Sequence, residues 1–154
     1  MLHAVRGGNT AIICLLLDRG ADIDAQNSWG ETALRQAVNK GDSTAASLLL
    51  ERGAAVDAAD ETKTTPLMQA TRLGNQEMVE VLLEWYADSN IVDDTGESPL
   101  IVAARGNFGD IMKLLIAHGG VLTRRTTLAS LHLCTPPLQG ILMLLGFFWT
   151  NLQI

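Results

Sequence analysis

The stretch TPLMQATRLGNQEMVEVLLEWYAD, residues 65–88, predicts two short helices joined by a tight turn. Thr65 is suited to cap the first helix, and Pro66 follows at the first helical position, where its missing N–H costs nothing. Gly74 predicts the end of that helix, because helices commonly terminate on a left-handed residue. The second helix is predicted over Gln76 to Trp85. Its apolar residues recur at helical spacing: Met78, Val79, Leu82 and Leu83.

The same pattern recurs every 33 residues. The positions that keep this register are Gly8, Gly41, Gly74 and Asn107; Gly20, Gly53, Tyr86 and Gly119; and Ala4, Ala37, Ala70 and Ala103. A period of this size is typical of stacked repeat proteins. One helix pair cannot bury its apolar side alone, whereas stacked pairs can. The sequence therefore predicts an all-α solenoid of helix-turn-helix units.

Three stretches resemble the ankyrin repeat: residues 65–88, TALRQAVNKGDSTAASLLLERGAA (32–55) and SPLIVAARGNFGDIMKLLIAHGG (98–120). The resemblance covers residues 1 to about 122, as roughly four repeats, and leaves 123–154 as a divergent hydrophobic tail. It implies helix pairs with β-hairpin fingers at one edge, and protein binding as the activity. Met1 falls inside the first helix of the first repeat. We therefore expect that repeat to be truncated, and the chain to be a fragment or a truncated gene product.

Two departures from the family pattern affect the fingers. The histidine of the T-P-L-H motif, which links fingers to helices in the family, is replaced at Leu2, Arg35, Met68 and Ile101. Finger rigidity is therefore in question. Tyr86 stands where the other repeats place a glycine, and a left-handed tyrosine costs on the order of 1 kcal/mol. It is either tolerated drift or a useful contact.

In ankyrin proteins, partner contacts come mainly from finger tips and the inner helix surface. The resemblance implies that the matching positions here bind a partner: Ser28, Trp29, Glu31, Asn39 and Lys40; Glu61, Thr62, Thr64, Arg72 and Leu73; Asp94, Thr95, Glu97, Arg105 and Gly106. Trp29 is the expected hot spot, because tryptophan is over-represented at such positions. The alternative is that its ring lies sideways over the next finger.

Three arginines share one register position, Arg6, Arg72 and Arg105. A ladder of guanidinium groups on the inner face could bind partner carboxylates in a bidentate manner. Alternatively, each arginine pairs with an acidic residue of its own chain, which is the more common situation at surfaces.

Charge excludes one class of partner. The 17 acidic residues all lie between Asp18 and Asp110, and the body through Leu122 has only nine basic residues, a formal charge of −8. An acidic body repels phosphate backbones, so we expect no nucleic acid ligand. Two cysteines form no disulfide framework, and the N-terminus shows no signal peptide. We therefore expect an intracellular protein, most simply cytoplasmic.

No enzyme motif is visible. The three histidines are scattered without ligand spacing, and no P-loop, dinucleotide-binding or nucleophile-elbow motif occurs. The segment DRGADID, residues 18–24, lacks the glycine and the terminal glutamate of a calcium loop. We expect no metal, no cofactor and no catalysis.

The tail differs from the repeats in composition. From Thr126 onward it has no acidic or basic residue, and Pro136-Pro137 divides it. Residues 138–152 would span roughly 22 Å as a helix, against a hydrocarbon core of about 30 Å. Three interpretations stay open: packing on the last repeat, membrane anchoring, or no specific role. The uncapped ends of the array also predict self-association.

The sequence as a whole predicts a non-catalytic protein–protein interaction module of the scaffold or adaptor type. Its unidentified partner would bind at the finger tips and the concave inner-helix face. Two alternatives are a membrane-tethered ankyrin protein and a fragment of a larger multidomain receptor.

Overall fold

The computed structural model describes residues 1–121. This range contains eight α-helices and no strand. The helices are α1 Leu2–Arg6, α2 Thr10–Asp18, α3 Ala33–Lys40, α4 Ser43–Glu51, α5 Pro66–Arg72, α6 Gln76–Glu84, α7 Pro99–Arg105 and α8 Gly109–Ala117. The helix pair predicted from residues 65–88 is confirmed as α5 and α6.

The helices stack in two layers. Each odd-numbered helix contacts the even-numbered helix that follows it, and α1, α3, α5 and α7 contact one another in order. We call these four helices the inner layer. The remaining helices form the outer layer, in which α4 contacts α6 and α6 contacts α8. The structure is therefore held together by contacts within each repeat and between neighbouring repeats, as expected of a solenoid.

The core repeats with the same period as the sequence. Leucines at one register position of the inner layer are fully buried, as are leucines at one position of the outer layer. These residues are Leu34, Leu67 and Leu100 in the first set and Leu49, Leu82 and Leu115 in the second. Each buried leucine contributes roughly 1.5–3 kcal/mol. The small Ala37, Ala70 and Ala103 are also buried, and they let inner helices approach closely.

Most helices begin at a side-chain cap. Thr32 and Thr65 accept hydrogen bonds from the backbone N–H groups of Arg35 and Met68 through their hydroxyl oxygens, both at 3.3 Å. The outer helices α2, α4 and α6 are capped in the same way by Asn9, Asp42 and Asn75. The fourth repeat differs, since neither of its helices has a side-chain cap. Each missing cap forgoes about 1 kcal/mol.

Tyr86 adopts the left-handed conformation of the glycines at its register position, with φ of 62°. Its equivalents Gly20, Gly53 and Gly119 have φ values of 78°, 87° and 84°. The tyrosine ring is 91% exposed, so it gains little packing in return for the strained backbone.

Replacing Tyr86 with glycine should therefore stabilise the protein by about 1 kcal/mol, because glycine adopts this conformation without a steric penalty. Chemical denaturation of the two proteins measures the difference. Tyr86→Ala is the control: it removes the ring but keeps the Cβ that causes the strain, so it should bring no comparable gain. Equal stability of the glycine and alanine variants would contradict the interpretation.

Residues 122–154 lie outside the described range. The predictions for the tail, including the segment 138–152 and the choice between packing, anchoring and no role, fall on these residues. Among residues 1–121, no helix is long and apolar enough to cross a membrane.

Candidate protein-binding surface

Three short turns, which we call fingers, connect the repeats. Finger two comprises residues 27–31, finger three 60–64 and finger four 93–97. In each, the first residue's backbone N–H donates to the last residue's carbonyl oxygen, at 3.1, 3.2 and 3.1 Å. In each finger the backbone N–H of the fourth residue also donates to the carbonyl oxygen of the first, at 3.0, 2.9 and 3.0 Å. These two bonds close a tight hairpin turn, and within residues 1–121 no strand extends from it.

A side-chain oxygen locks each finger from inside. Oδ1 of Asn27 accepts hydrogen bonds from the backbone N–H groups two and four residues later, both at 2.9 Å. Oδ1 of Asp60 accepts the equivalent bonds at 2.9 and 3.0 Å, and Oδ1 of Asp93 accepts both at 3.0 Å. These Asx turns hold the tip in one conformation without a partner present.

Adjacent fingers are also bonded to each other. The carbonyl oxygen of Trp29 accepts a 3.5 Å bond from the backbone N–H of Glu61, and that of Thr62 accepts a 3.1 Å bond from Asp94. The fingers therefore form one continuous row, and the tips keep a regular spacing.

Arg35 links the second repeat to the third. Its guanidinium donates to the carbonyl oxygen of Thr64 at 3.0 Å and to Oε1 of Gln69 at 3.2 Å. It also forms an ion pair with Oδ2 of Asp60 at 3.1 Å, and both side chains are largely buried. Arg35 occupies the register position of the missing histidine. The expected loss of finger rigidity is therefore compensated at this junction.

The ion pair changes the titration of Asp60. Burial raises the pKa of this carboxyl, but hydrogen bonds from Thr62 and Thr64 and the charge of Arg35 outweigh burial, and the net shift is downward from 3.8. A lowered folded-state pKa means that ionised Asp60 stabilises the fold above its unfolded pKa. That contribution is lost as the pH falls through the folded-state pKa.

The finger tips present Trp29 to solvent. The residue is 65% exposed, so most of its surface is open to solvent. Ser28, Glu61, Thr62, Asp94 and Thr95 are exposed around it along the row. Thr64, in contrast, is 1% exposed, and its carbonyl oxygen accepts from Arg35. The prediction that the Thr64 side chain contacts a partner at the surface is therefore wrong.

Comparison with protein families identifies the repeat. The family model described as ankyrin repeats, in three copies, matches residues 1–93, and a single ankyrin repeat matches residues 95–126. The chain belongs to the ankyrin repeat family. A search of curated proteins gives no match. Ankyrin repeats are protein–protein interaction modules, and the family is generally non-catalytic.

The inner layer of the ankyrin array holds the remaining predicted residues. Asn39 accepts a 2.8 Å bond from Gln69, and the Lys40 ammonium donates to the carbonyl oxygens of Arg6 and Val5 at 3.0 and 3.3 Å. Lys40 thereby satisfies carbonyl groups at the end of α1. Leu73 is 51% exposed and Gly106 is exposed, so this layer also has apolar surface open to a partner.

The arginines of this layer pair within the ankyrin array. Arg72 forms an ion pair with Asp93 at 3.2 Å, and Arg105 forms one with Glu97. Arg6 donates to Oε1 of Gln36 at 3.4 Å. Arg72 and Arg105 therefore pair with acidic residues of their own chain, whereas Arg6 bonds the side-chain amide of Gln36. The guanidinium groups of Arg72 and Arg105 therefore orient finger four.

Glu31 is likewise engaged by its own repeat. Its carboxylate accepts hydrogen bonds from Asn27 at 2.9 Å, Gln36 at 2.6 Å and Asn39 at 3.4 Å. Glu31 and Glu97 are half-buried at the base of their fingers. Both carboxylates connect a finger to the inner layer.

Sequence reasoning missed the residues that shape the fingers of this ankyrin array. Asn27, Asp60 and Asp93 stand 33 residues apart, so their signal was present in the register. An Asn or Asp that begins a turn is also typical of an Asx turn. The bond from Arg35 to Thr64 had no such signal, because it joins side chain and backbone 29 residues apart.

Within residues 1–121, no group of three His, Cys, Asp or Glu side chains is arranged to hold a metal ion. Cys14 lies half-buried on α2, and its Sγ is 3.8 Å from a guanidinium nitrogen of Arg52.

Proposed function

We propose that a partner protein binds along the row of finger tips and the adjacent inner helices, with Trp29 as the anchoring residue. The observation that carries this proposal is the exposure of the Trp29 side chain, 65%, on a turn whose backbone is already locked. Tryptophan anchors that enter a partner's pocket contribute a large share of binding free energy.

The locked fingers support this proposal energetically. Ordering a flexible loop on binding reduces affinity, because its conformational entropy is lost at that moment. Here the bonds to Asn27, and the bond from Glu61 to the carbonyl oxygen of Trp29, order the loop in the free protein. A partner therefore meets a preformed surface.

The neighbouring side chains define the rest of the surface. Ser28 offers a hydroxyl group, and Glu61 and Asp94 add negative charge at the tips. The hydroxyl groups of Thr62 and Thr95 already donate to Asp60 and Asp93 of their own fingers, at 2.7 and 2.6 Å. Leu73 provides a second apolar contact on the inner layer. A partner that fits this surface has an apolar pocket that accepts the indole of Trp29. Polar groups of that partner lie next to the pocket. Carboxylate capture by the arginines is not part of the proposal, since Arg72 and Arg105 have acidic partners already.

Trp29→Ala should weaken binding of captured partners by about 2 kcal/mol, or roughly 30-fold, because it removes the anchor. Partner proteins are first captured with the full chain and identified. Calorimetry with each purified partner then compares its Kd for the natural protein with its Kd for the variant. Ile116→Ala is the matched control, since Ile116 is an exposed apolar residue of outer helix α8. An unchanged Kd for Trp29→Ala, or an equal loss for both variants, would show that Trp29 is not the anchor.

A further inference from the structure

Two adjacent aromatic side chains are exposed on the outer layer. Trp85 and Tyr86 follow the C-terminal end of α6 and are 40% and 91% exposed. We call these two residues the aromatic edge. The same positions hold Arg19-Gly20, Arg52-Gly53 and His118-Gly119 in the other repeats. The third repeat alone places two adjacent aromatic rings here.

The stability of the fold does not account for Tyr86. Tyr86 retains a left-handed backbone that glycine would adopt without strain, and its ring is almost entirely in solvent. Exposed Trp and Tyr side chains, each with an apolar ring and a polar group, are characteristic of protein interfaces. The aromatic edge therefore has the composition of a contact surface.

The charged side chains that flank the aromatic edge along the chain are negative. Between Leu73 and Ala104 the sequence has seven acidic residues and no lysine or arginine. Glu84 and Asp88, which flank the aromatic edge, are both exposed. A cation placed over either ring would gain from the negative face of the ring and from these carboxylates. Phosphate groups of nucleic acid or anionic lipid would be repelled.

We propose that the aromatic edge is a second docking site, and that it binds a segment of a partner protein in which Lys or Arg side chains alternate with apolar ones. The cationic groups stack on the rings of Trp85 and Tyr86 and pair with Glu84 and Asp88. The apolar groups cover the ring surface that is now exposed. This site is separate from the finger tips, since it follows an outer-layer helix rather than an inner one.

The test uses the full chain and three fluorescein-labelled peptides of equal length: alternating Lys and Leu, alternating Glu and Leu, and alternating Lys and Ser. Fluorescence anisotropy measures the Kd of each peptide for the natural protein and for Trp85→Gln/Tyr86→Gly. Tyr86→Gly alone is included because it relieves backbone strain, so a loss of binding in that variant cannot arise from misfolding. Leu15→Gln is the matched control, since Leu15 is an exposed apolar residue of outer helix α2 in the first repeat.

The Lys–Leu peptide should bind tightest. Its Kd should rise about tenfold in Trp85→Gln/Tyr86→Gly, rise by a smaller factor in Tyr86→Gly, and stay unchanged in Leu15→Gln. Higher salt should weaken the complex. The proposal is overturned if no peptide binds, if the Glu–Leu or Lys–Ser peptide binds as tightly as Lys–Leu, or if the double variant retains the natural Kd. Binding of anionic phospholipid vesicles in place of the peptide would also overturn it.

Discussion

Arg35→Met lowers the free energy of unfolding by about 3 kcal/mol, because it leaves a largely buried carboxylate without its cation. The change removes three interactions together: the ion pair with Asp60, the bond to the carbonyl oxygen of Thr64 and the bond to Gln69. Methionine is a fair replacement in size and context, since Met68 occupies the same register position in the third repeat and is fully buried. Denaturant unfolding followed by circular dichroism measures the loss.

Arg52→Met is the matched control. Arg52 also pairs with an aspartate, Asp18 at 3.2 Å, but both side chains are well exposed. An exposed pair contributes less than about 1 kcal/mol, so this variant should unfold close to the natural protein. A double-mutant cycle with Asp60→Asn then isolates the ion pair, because asparagine retains the oxygen that closes the finger, as Asn27 does in finger two. Equal destabilisation by Arg35→Met and Arg52→Met would show that Arg35 does not link the second repeat to the third.

The second large effect is expected at Gly30, in finger two. Gly30 has φ of 71°, and a Cβ atom built there would lie 2.9 Å from the backbone nitrogen of Glu61 in the next finger. Gly30→Ala therefore combines a strained backbone with a collision against main-chain atoms that cannot rotate away. We expect a loss of about 3 kcal/mol, measured by denaturant unfolding, together with faster hydrogen exchange of the Glu61 amide.

Gly96→Ala separates the two causes. Gly96 occupies the same position of finger four with φ of 81°, but a Cβ there meets no atom within 4 Å. This variant should lose only about 1 kcal/mol, from the left-handed backbone. Lys63, at the same position of finger three with φ of 58°, shows that a side chain is tolerated where space is open. If both alanine variants lose the same stability, the fingers are not in the close contact described.

Much of this fold was predictable because it depends on short-range chemistry. Thr65 and Pro66 begin α5, and apolar spacing sets which side of α6 is buried; each signal lies within a few residues of its effect. Because the pattern recurs every 33 residues, the prediction of one helix pair applied to every repeat of the array. The exposure of Trp29 was expected by the same logic, since a tryptophan on a turn between two polar or small residues has no local core to enter.

Other features were not predictable, because they depend on groups far apart in the chain. Thr64 was expected at the surface, but it is buried where finger three folds back beneath Arg35. The partners of Arg72 and Arg105 could be a binding partner's carboxylates or the array's own, and the sequence alone did not distinguish them. Similarly, Gly30 and Gly96 occupy equivalent register positions, but the atoms around them differ.

The sequence by itself determined the repeat, its helix pairs and its left-handed turns, because helix caps, apolar periodicity and backbone preference act within one repeat. Only the tertiary structure decided how the fingers are held, which arginines are already paired and which side chains stay exposed. Those outcomes depend on contacts between residues about one repeat apart, such as Arg35 with Thr64. Such contacts exist only after neighbouring repeats have stacked, and no local pattern encodes them.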